Sequence, residues 1–565
     1  MSSTKDGRSK FFVEIIKPSH YDDDGYVIQW RRAFIPSNSL ACLLALVEDC
    51  RDRRVLGDDV EIVVTGYDEC HTVVPVRQIV RRIEQQGGRG IVFLAGVQTN
   101  QFPRAMDLAR QFRQAGVAVA IGGFHVSGCL SMLSEVPSEI RAAQEMGVVL
   151  FAGEAEGRME RLLVDAHRGQ LAPVYNYLGD LPDLTGQVAP RLPRDISRRS
   201  LFFAPLDVGR GCPFGCSFCT IINVQGRKSR CRDADDVERA IREQLDQGIR
   251  RFYFTDDNLA RNRNWEAIFD RLIAIREGEG KRIKFLMQVD ALSYKIPRFV
   301  EKSTRAGCTR VFVGLESVNP ANLAAAGKRQ NQVGQYREML LAWRDRNVLT
   351  HAGYILGFPG DTPESIEQDI RLIQREIPID ILEFFILTPL PGSEDHRVLF
   401  DRGEWLEPDQ NRYDLEHVTV RHPTMDAATL RAVYDRAWHL YYSPEHVETL
   451  LRRAHARGAG IRHMVAAVLG YYGAYRYEGL HPLQCGLVRR RVRATRRPGL
   501  PRENPLVFYP RQVLGVLRTY TGLAWMGLKL EGQRRRIERD PQGKSYRDEA
   551  IASRESDGDL TIEAA

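Results

Sequence analysis

Short apolar runs alternate with amphipathic stretches over residues 11–168 of this 565-residue chain. The runs "FFVEIIKP", "VEIVVTGYD", "GIVFLAGVQT", "VAVAIGGFH" and "GVVLFAGEAEG" predict buried parallel strands, because strands covered on both faces are continuously hydrophobic. Stretches such as "VRQIVRRIEQQG" and "FPRAMDLARQFRQAG" have helical spacing of apolar residues and predict the intervening helices. Five strands alternating with helices predict a doubly wound, Rossmann-like α/β domain over residues 11–170, with a ligand at the carboxyl edge of its sheet.

A second alternating region follows a proline- and glycine-rich segment, residues 171–200, which predicts a linker. Residues 201–400 contain six strand candidates: "FAPLDVGRG", "RRFYFTDDN", "IKFLMQVDA", "TRVFVGLES", "THAGYILGFPG" and "ILEFFILTPLPG". Six β/α units predict a partial (β/α)6 barrel with its function in the loops after the strands. Residues 401–540 predict a mostly helical region, and the polar residues 541–565 predict a disordered tail.

The composition predicts a globular protein with large cores, since 43% of the residues are hydrophobic and 27% are charged. The start, "MSSTKDGRSKFF", has no apolar signal core, and no uncharged apolar run reaches membrane-spanning length. The cysteines have no dense disulfide pattern, which suits a reducing compartment. We therefore expect a cytoplasmic protein.

The net charge of +7 is concentrated near the end of the sequence, where residues 485–540 carry 14 Lys and Arg against four Asp and Glu. This segment has a net charge of +10, so the rest of the chain carries −3. One interpretation is peripheral contact with anionic lipid, since apolar residues lie between the basic ones. The alternative, which we prefer from sequence, is a solvated basic face over a docking helix. No nucleic-acid-binding module accompanies the charge, so no nucleic-acid partner is expected.

Three cysteines in the loop "RGCPFGCSFC" have the spacing C-x3-C-x2-C. A disulfide would use two thiols and leave one, whereas structural zinc usually takes four ligands as two pairs. An iron–sulfur cluster normally takes four cysteines. The three thiols of Cys212, Cys216 and Cys219 therefore predict a cluster with one iron open to a non-protein ligand. Cys231, 12 residues further on, is an alternative fourth ligand.

The motif C-x3-C-x-aromatic-C, at the end of a first barrel strand, resembles that of the radical S-adenosylmethionine superfamily. The resemblance implies a [4Fe–4S] cluster whose open iron is chelated by the amino and carboxylate groups of S-adenosylmethionine. It implies further contacts to the methionyl amine, ribose and adenine of S-adenosylmethionine at Phe218, Asp256, Asp257, Gln288, Glu316 and Gly357. The alternatives are a helix cap for the aspartates of "FTDDN" and a surface salt bridge for Glu316.

The region in front of the barrel resembles the cobalamin-binding domain found in one branch of that superfamily, through the loops "VQTN", "IGGFH" and "GEAEG". Corrin contacts are implied at Val97, Thr99, Gly122, Gly123, His125, Gly153 and Glu154. The alternative is a plain flavodoxin-like sheet. The branch's D-x-H-x-x-G motif is absent, because "YDECH" has no glycine at the required place. We therefore expect cobalamin without a histidine on cobalt; for His125, the alternatives are a cobalt ligand, a hydrogen bond to the corrin and ordinary packing.

Together the two resemblances imply a cobalamin-dependent radical enzyme that generates a 5′-deoxyadenosyl radical and methylates an unactivated carbon of a small-molecule substrate. They also imply a flavodoxin- or ferredoxin-type electron donor. The alternatives are a cyclase or rearrangement enzyme of the same branch, and a regulatory protein that binds cluster and corrin without turnover. A methylthiotransferase is disfavoured because no second cysteine cluster is present. The sequence assigns a catalytic role to no single residue and names no substrate.

Overall fold

The computed structural model describes residues 8–199, 204–458 and 460–552. The predicted strand "FAPLDVGRG" begins at Phe203, outside the described residues. The strands are β1 Ser9–Lys17, β2 Gln29–Ala33, β3 Val60–Asp68, β4 Gly90–Leu94, β5 Ala118–Gly122, β6 Val149–Ala152, β7 Val174–Asn176, β8 Ala204–Leu206, β9 Gly209–Arg210, β10 Arg230–Cys231, β11 Arg251–Phe254, β12 Lys284–Val289, β13 Cys308–Glu316, β14 Leu349–Leu356, β15 Ile381–Ile386 and β16 Gly486–Arg490.

Helices connect most of these strands and dominate the end of the described chain. They are α1 Asn38–Asp52, α2 Val76–Glu84, α3 Phe102–Gln114, α4 Phe124–Met132, α5 Ser138–Glu145, α6 Met159–Arg168, α7 Arg194–Ser197, α8 Ile221–Val224, α9 Ala234–Asp246, α10 Trp265–Ile273, α11 Phe299–Ala306, α12 Pro320–Ala325, α13 Tyr336–Arg344, α14 Pro363–Glu376, α15 Glu394–Asp401, α16 Ala427–Tyr441, α17 Pro444–Ala456, α18 Ile461–Glu478 and α19 Pro505–Arg539. Within the described ranges, no helix is both long and apolar enough to cross a membrane.

The chain divides into two compact units. The first comprises the residues up to Arg271 together with Thr388–Asp414 and Leu483–Val513. The second comprises Leu272–Leu387, Leu415–Pro482 and the residues from Leu514. Because the units do not follow the domain boundaries expected from the sequence, those boundaries remain a prediction.

The first unit contains a six-stranded sheet in the order β3-β1-β4-β5-β6-β7. All five neighbouring pairs are parallel. The chain adds β3 on one side of β1 and then every later strand on the other, so the strand order reverses between β1 and β4. This arrangement confirms the doubly wound fold, which binds ligands at the carboxyl edge beside such a reversal.

The sheet has a separate hydrophobic core on each face. Phe11, Val13 and Ile15 of β1 pack with residues of α1 and α6. Phe12 and Ile16 of the same strand pack with residues of α2, α3 and α5 on the other face. Side chains alternate between the faces of a strand, so a strand covered on both sides is apolar at most positions. This explains the mostly hydrophobic run with which the pattern begins. Glu14 interrupts the run and is buried, where it forms an ion pair with Arg82.

Two segments differ from their sequence-based interpretation. Val174–Asn176, within the expected linker, forms β7 and pairs with β6; three residues are too few to produce a detectable alternation. Residues 541–552, expected to begin a disordered tail, include a 3-10 turn at Gly543–Ser545. In the second unit Asp548 forms an ion pair with Arg453 at 2.8 Å, which anchors this segment. The remainder of the tail lies outside the described residues.

The six strands expected for the barrel are present, and every pair within a unit is parallel. In the first unit β8 pairs with β11. In the second unit β12, β13, β14 and β15 form consecutive parallel pairs. Along β13, the side chains of Val311, Val313 and Leu315 are buried, whereas alternate residues such as Phe312 remain partly exposed. The second unit also contains α16, α17 and α18, in agreement with the helical C-terminal region expected.

Candidate functional site

The three-cysteine loop follows β9 and ends at α8 in the first unit. Gly211, which precedes it, has φ +88° and leaves 2.5 Å between an added Cβ and the Lys228 carbonyl oxygen, so only glycine fits. The Cys212 N–H donates to the Gly226 carbonyl at 3.2 Å, and the Cys219 N–H donates to the Cys216 carbonyl at 3.2 Å. The loop is therefore held by its backbone, which leaves the thiols available as ligands.

The thiols lie in a poorly solvated environment. Burial raises the pKa of Cys212, and it raises the pKa of Cys219 to about 12. In the described part of the chain, the three sulfurs do not all lie within 4.8 Å of one another. Three thiolates on one tetrahedral zinc would be ~3.8 Å apart, given Zn–S bonds of ~2.3 Å. The spacing therefore fits a polynuclear cluster better than a single ion, and a bound metal would deprotonate the thiols.

The segment "FTDDN" follows β11 and contacts the start of this loop. Asp256 accepts a hydrogen bond from the Val208 N–H at 2.9 Å and is almost fully buried, which is a structural role. Asp257 accepts from the Gly211 N–H at 3.0 Å, and burial raises the pKa of Asp257 to about 6. The side chain of Asn258 hydrogen-bonds to Cys212. Asp257 and Asn258 are thus the polar groups beside the cysteine loop.

A buried ion-pair network joins the loop after β6 to the cysteine loop. Arg210, two residues before Cys212, pairs with Glu154 at 2.7 Å, Glu156 at 2.6 Å and Asp207 at 2.6 Å. Arg230 makes a further ion pair with Glu154. The sequence placed neither arginine in such a network, although Arg230 opens the "RCRD" segment that resembles a recurrent feature of the cobalamin-linked branch. Two closely spaced carboxylates in "GEAEG" and an arginine beside the cysteine motif were the available signals. The network positions one loop against the other.

A cleft opens to solvent at the carboxyl edge of the six-stranded sheet. Three of its lining residues are the glycines of two strand-end loops, Gly122, Gly123 and Gly153. Gly123 has φ +140°, and a Cβ there would lie 2.2 Å from the Val97 backbone nitrogen. Arg210 and Gln225, which precede and follow the cysteine loop and α8, also line the cleft. The glycines therefore leave backbone accessible to a ligand at this edge of the sheet.

The structure separates the expected corrin contacts into two groups. Gly122, Gly123, Gly153 and Glu154 line the cleft, whereas Val97, Thr99 and His125 are not among its lining residues. The Val97 carbonyl accepts the His125 N–H at 3.1 Å, which links the first turn of α4 to the loop after β4. His71 also lies away from the cleft, with its Nε2 3.9 Å from Asp68. Neither histidine considered for cobalt therefore faces the cleft.

The remaining S-adenosylmethionine candidates lie on the second unit. Gln288 is the penultimate residue of β12 and is partly exposed. Glu316 ends β13 with φ +63° and forms an ion pair with Lys328. The two side chains are only 10–13% exposed, so this is not the surface salt bridge given as the alternative. Gly357 follows β14 with φ +92°, and its N–H donates to Asp361 at 2.9 Å. In the first unit Phe218 lies between the second and third cysteines and is partly exposed.

Asp361 is a further residue that sequence analysis missed. Its carboxylate accepts hydrogen bonds from the N–H groups of Gly357 and Phe358 and from the Asn322 side chain at 2.7 Å. It therefore organises the turn "GFPGD" after β14. Its position directly after a Pro-Gly turn was the available signal, since aspartate side chains commonly cap such turns.

Residues 206–373 match the family model described as the Radical SAM superfamily. The matched region is similar to that superfamily, and it contains the cysteine loop and most of the barrel strands. The chain is also similar to two curated relatives from Chlorobaculum tepidum. Bacteriochlorophyllide d C-12(1)-methyltransferase is 28% identical over 321 residues, 55% of this chain and 66% of the relative. Bacteriochlorophyllide d C-8(2)-methyltransferase is 26% identical over 342 residues, 57% of this chain and 71% of the relative.

Among solved structures, the chain resembles the radical S-adenosylmethionine methyltransferase TsrM from Kitasatospora setae, solved with cobalamin and a [4Fe–4S] cluster bound. The TM-score is 0.57 at 14% identity, covering 81% of this chain and 100% of TsrM. At this identity the likeness establishes a shared fold. The expected resemblance to cobalamin-dependent radical S-adenosylmethionine enzymes is thereby confirmed, and both curated relatives are methyltransferases by name.

Proposed function

We propose that this chain is a cobalamin-dependent radical S-adenosylmethionine methyltransferase acting on an unactivated carbon of a small molecule. One observation carries the proposal. Arg210 and Gln225, on either side of the cysteine loop and α8, line the same cleft in the first unit as Gly122, Gly123 and Gly153. A cluster on the three cysteines and a flat ligand in that cleft would therefore be neighbours. The names of the relatives support methyl transfer as the reaction class.

The chain's own residues would bind and orient the reactants. Cys212, Cys216 and Cys219 would hold the cluster, and Asp257 would accept the methionyl ammonium, for which a carboxylate is the strongest acceptor. The exposed backbone at Gly122 and Gly153 would contact the corrin. Ribose and adenine contacts are proposed for Gln288, Glu316, Gly357 and Phe218. When bound, the cluster supplies the electron that cleaves S-adenosylmethionine, and the cobalamin supplies the methyl group.

The proposed electron donor is a small flavodoxin- or ferredoxin-type protein. The cysteine loop has exposed residues, Pro213 and Gly215, between its first two thiols, while Cys216 itself is buried. A protein donor could approach the cluster at these small side chains without displacing the thiol ligands. This route would be tested by comparing reduction of the wild type with that of Gly215→Glu, which adds a charged side chain there.

The decisive experiment is anaerobic incubation of the reconstituted protein with a reductant and S-adenosylmethionine labelled in its methyl group. An extract containing the substrate should yield 5′-deoxyadenosine together with a labelled product. Cys216→Ala should abolish both, whereas Cys231→Ala is a matched control that should retain them. Formation of 5′-deoxyadenosine without label in any product would favour a cyclase or rearrangement enzyme. No 5′-deoxyadenosine at all would contradict the proposal and favour a regulatory role.

We further propose peripheral binding of α19 to an anionic membrane surface. The sequence favoured a solvated basic face over a docking helix, and Phe508, Leu530 and Ile537 of α19 are indeed buried. Other large apolar side chains of the same helix are exposed, however: Leu506 by 83%, Trp525 by 60% and Leu528 by 69%. Exposed Arg511 and Arg518 lie on the same helix. Exposed apolar side chains interspersed with basic ones are typical of helices that lie in the interface of an anionic bilayer.

Vesicle co-sedimentation tests this surface. The full chain should bind phosphatidylglycerol vesicles at low salt, bind less at high salt, and bind phosphatidylcholine vesicles weakly. The double change Trp525→Ser with Leu528→Ser should weaken binding. Trp405→Ser, which changes an exposed tryptophan elsewhere in the chain (40% exposed), is the matched control. Equal binding by both variants, or no binding to anionic vesicles, would contradict the proposal.

A further inference from the structure

A second group of metal-ligating side chains lies behind the cofactor cleft in the first unit. His125 and Cys129 are one turn apart on α4, and neighbours at this spacing share a helix face. Glu139 reaches them from the first turn of α5. The imidazole nitrogen, the sulfur and the carboxylate oxygen of these three residues all lie within 4.8 Å of one another. None of the three is among the residues that line the cleft.

His125 is the unexplained member of this group. Its side chain is fully buried, yet its Nε2 finds no hydrogen-bond partner among the described residues. The nearest charged atom recorded for Nε2 is Glu139 Oε1 at 3.9 Å, too far for a hydrogen bond. The Phe102 ring packs against the imidazole with centroids 4.3 Å apart, so water has little access from that side. Buried polar atoms are normally hydrogen-bonded, so the unpaired lone pair of this nitrogen calls for an explanation.

The other imidazole nitrogen of His125, Nδ1, already has a hydrogen-bond partner. His125 Nδ1 lies 3.3 Å from the Thr99 hydroxyl, which can accept a hydrogen bond from Nδ1–H. This tautomer leaves the Nε2 lone pair directed toward the group formed with Cys129 and Glu139. Histidines that bind metals usually donate their second N–H in this way, which fixes the ring orientation.

We propose that His125, Cys129 and Glu139 bind a divalent transition-metal ion, with Zn²⁺ as the best fit. Imidazole, thiolate and carboxylate are all zinc ligands. One thiolate and one carboxylate would neutralise the dication, so the complex could be buried without net charge. Tetrahedral zinc places its nitrogen and oxygen ligands ~3.4 Å apart, which requires only a small approach from the observed 3.9 Å.

The fourth position is available to water or to a further imidazole. His396 on α15 is buried, its Nδ1 also lacks a hydrogen-bond partner within the described chain, and it is close enough to interact electrostatically with His125. The ion would fix the first turn of α4, which begins directly after Gly123 of the cleft wall. The ion would therefore restrain the segment that carries Gly123 of the cleft, without itself contacting a ligand bound there.

The test measures zinc rather than activity, so it is independent of the proposed reaction. The full-length protein carrying its iron–sulfur cluster is equilibrated anaerobically with Zn²⁺, dialysed, and analysed for zinc and iron by mass spectrometry. The wild type should retain about one zinc per chain in addition to the four irons of a cubane cluster. Cys129→Ala and His125→Gln should bind zinc at least tenfold more weakly. Thr99→Val should weaken it about 10–100-fold through loss of the orienting hydrogen bond.

Cys50→Ala is the matched control, because Cys50 is another buried free cysteine of the same unit. It should retain zinc. If Cys129→Ala does not fold, Glu139→Gln replaces it as the test of zinc binding, because it keeps the side-chain shape at a partly exposed position. X-ray absorption of the bound zinc should report one sulfur ligand at ~2.3 Å. No retained zinc in the wild type, full retention in Cys129→Ala, or a site with three sulfur ligands would overturn the proposal.

Discussion

Glu154 is the carboxylate whose loss should most directly separate the two loops of the proposed active site. It accepts hydrogen bonds from Arg210 at 2.7 Å and from both terminal nitrogens of Arg230. Replacing it with glutamine removes the negative charge while keeping nearly the same shape. The amide also presents an N–H₂ group toward guanidinium donors, so at least one of these hydrogen bonds must be lost.

The expected cost follows from the composition of the network. Three arginines and three carboxylates balance in it, with Asp207 also pairing with Arg232 at 3.3 Å. Glu154→Gln leaves one uncompensated positive charge, and breaking a buried ion pair costs roughly 3–5 kcal/mol. Arg210 keeps two carboxylate partners and Arg230 keeps the Pro182 carbonyl at 2.8 Å. We therefore expect about 3 kcal/mol, the low end, or about a 150-fold change in the unfolding equilibrium.

Anaerobic urea unfolding of the cofactor-loaded chain, followed by circular dichroism and by release of cobalamin absorbance, measures this change. Glu160→Gln is the control, because its ion pair with Arg53 is about half exposed and should contribute no more than about 1 kcal/mol. Adding Arg230→Met to Glu154→Gln should recover part of the lost stability, because it removes the guanidinium left without its carboxylate. The two single variants and the double variant together form a double-mutant cycle that isolates the Arg230–Glu154 interaction. A Glu154→Gln effect no larger than that of Glu160→Gln would refute the reasoning.

Three further predictions concern the cleft and the barrel unit. Gly123→Ala should reduce bound cobalt strongly because its Cβ would lie 2.2 Å from backbone, whereas Gly116→Ala, also at positive φ but with nothing within 4 Å, should not. The electron paramagnetic resonance spectrum of bound cob(II)alamin should show no superhyperfine splitting from an axial nitrogen ligand, because neither histidine considered for cobalt lines the cleft. A clear nitrogen triplet in that spectrum would contradict this prediction. Burial raises the pKa of Asp369 from 3.8 to about 6, so its stabilising contribution is present below the unfolded pKa and is lost as pH rises through about 6. Asp369→Asn keeps an acceptor for the Tyr354 hydroxyl and should gain stability over the wild type between about pH 4 and pH 8 in urea unfolding; a pH-independent difference would contradict the assignment.

Much of the fold was predictable because it depends on local patterns. Each face of a doubly wound sheet is covered, so its strands are apolar runs, and the helices between them show helical spacing. The cysteine loop could be recognised for the same reason, since three ligands within eight residues need only one loop to bring them together. The short strand β7 could not be predicted, because Val174–Asn176 pairs with β6 only through the folded sheet.

The sequence by itself therefore determined the class of fold, the cluster motif and the glycine-rich loops at the sheet edge. Only the tertiary structure decided the partners of these residues. Arg210 and Glu154 are 56 residues apart in the chain, and no periodicity relates them. Similarly, the "IGGFH" pattern placed His125 near a corrin, but the helix that begins after Gly123 turns its imidazole away from the cleft toward Cys129 and Glu139. Composition and spacing specify which groups are present, whereas the direction of a side chain and its charge partners depend on how distant elements pack.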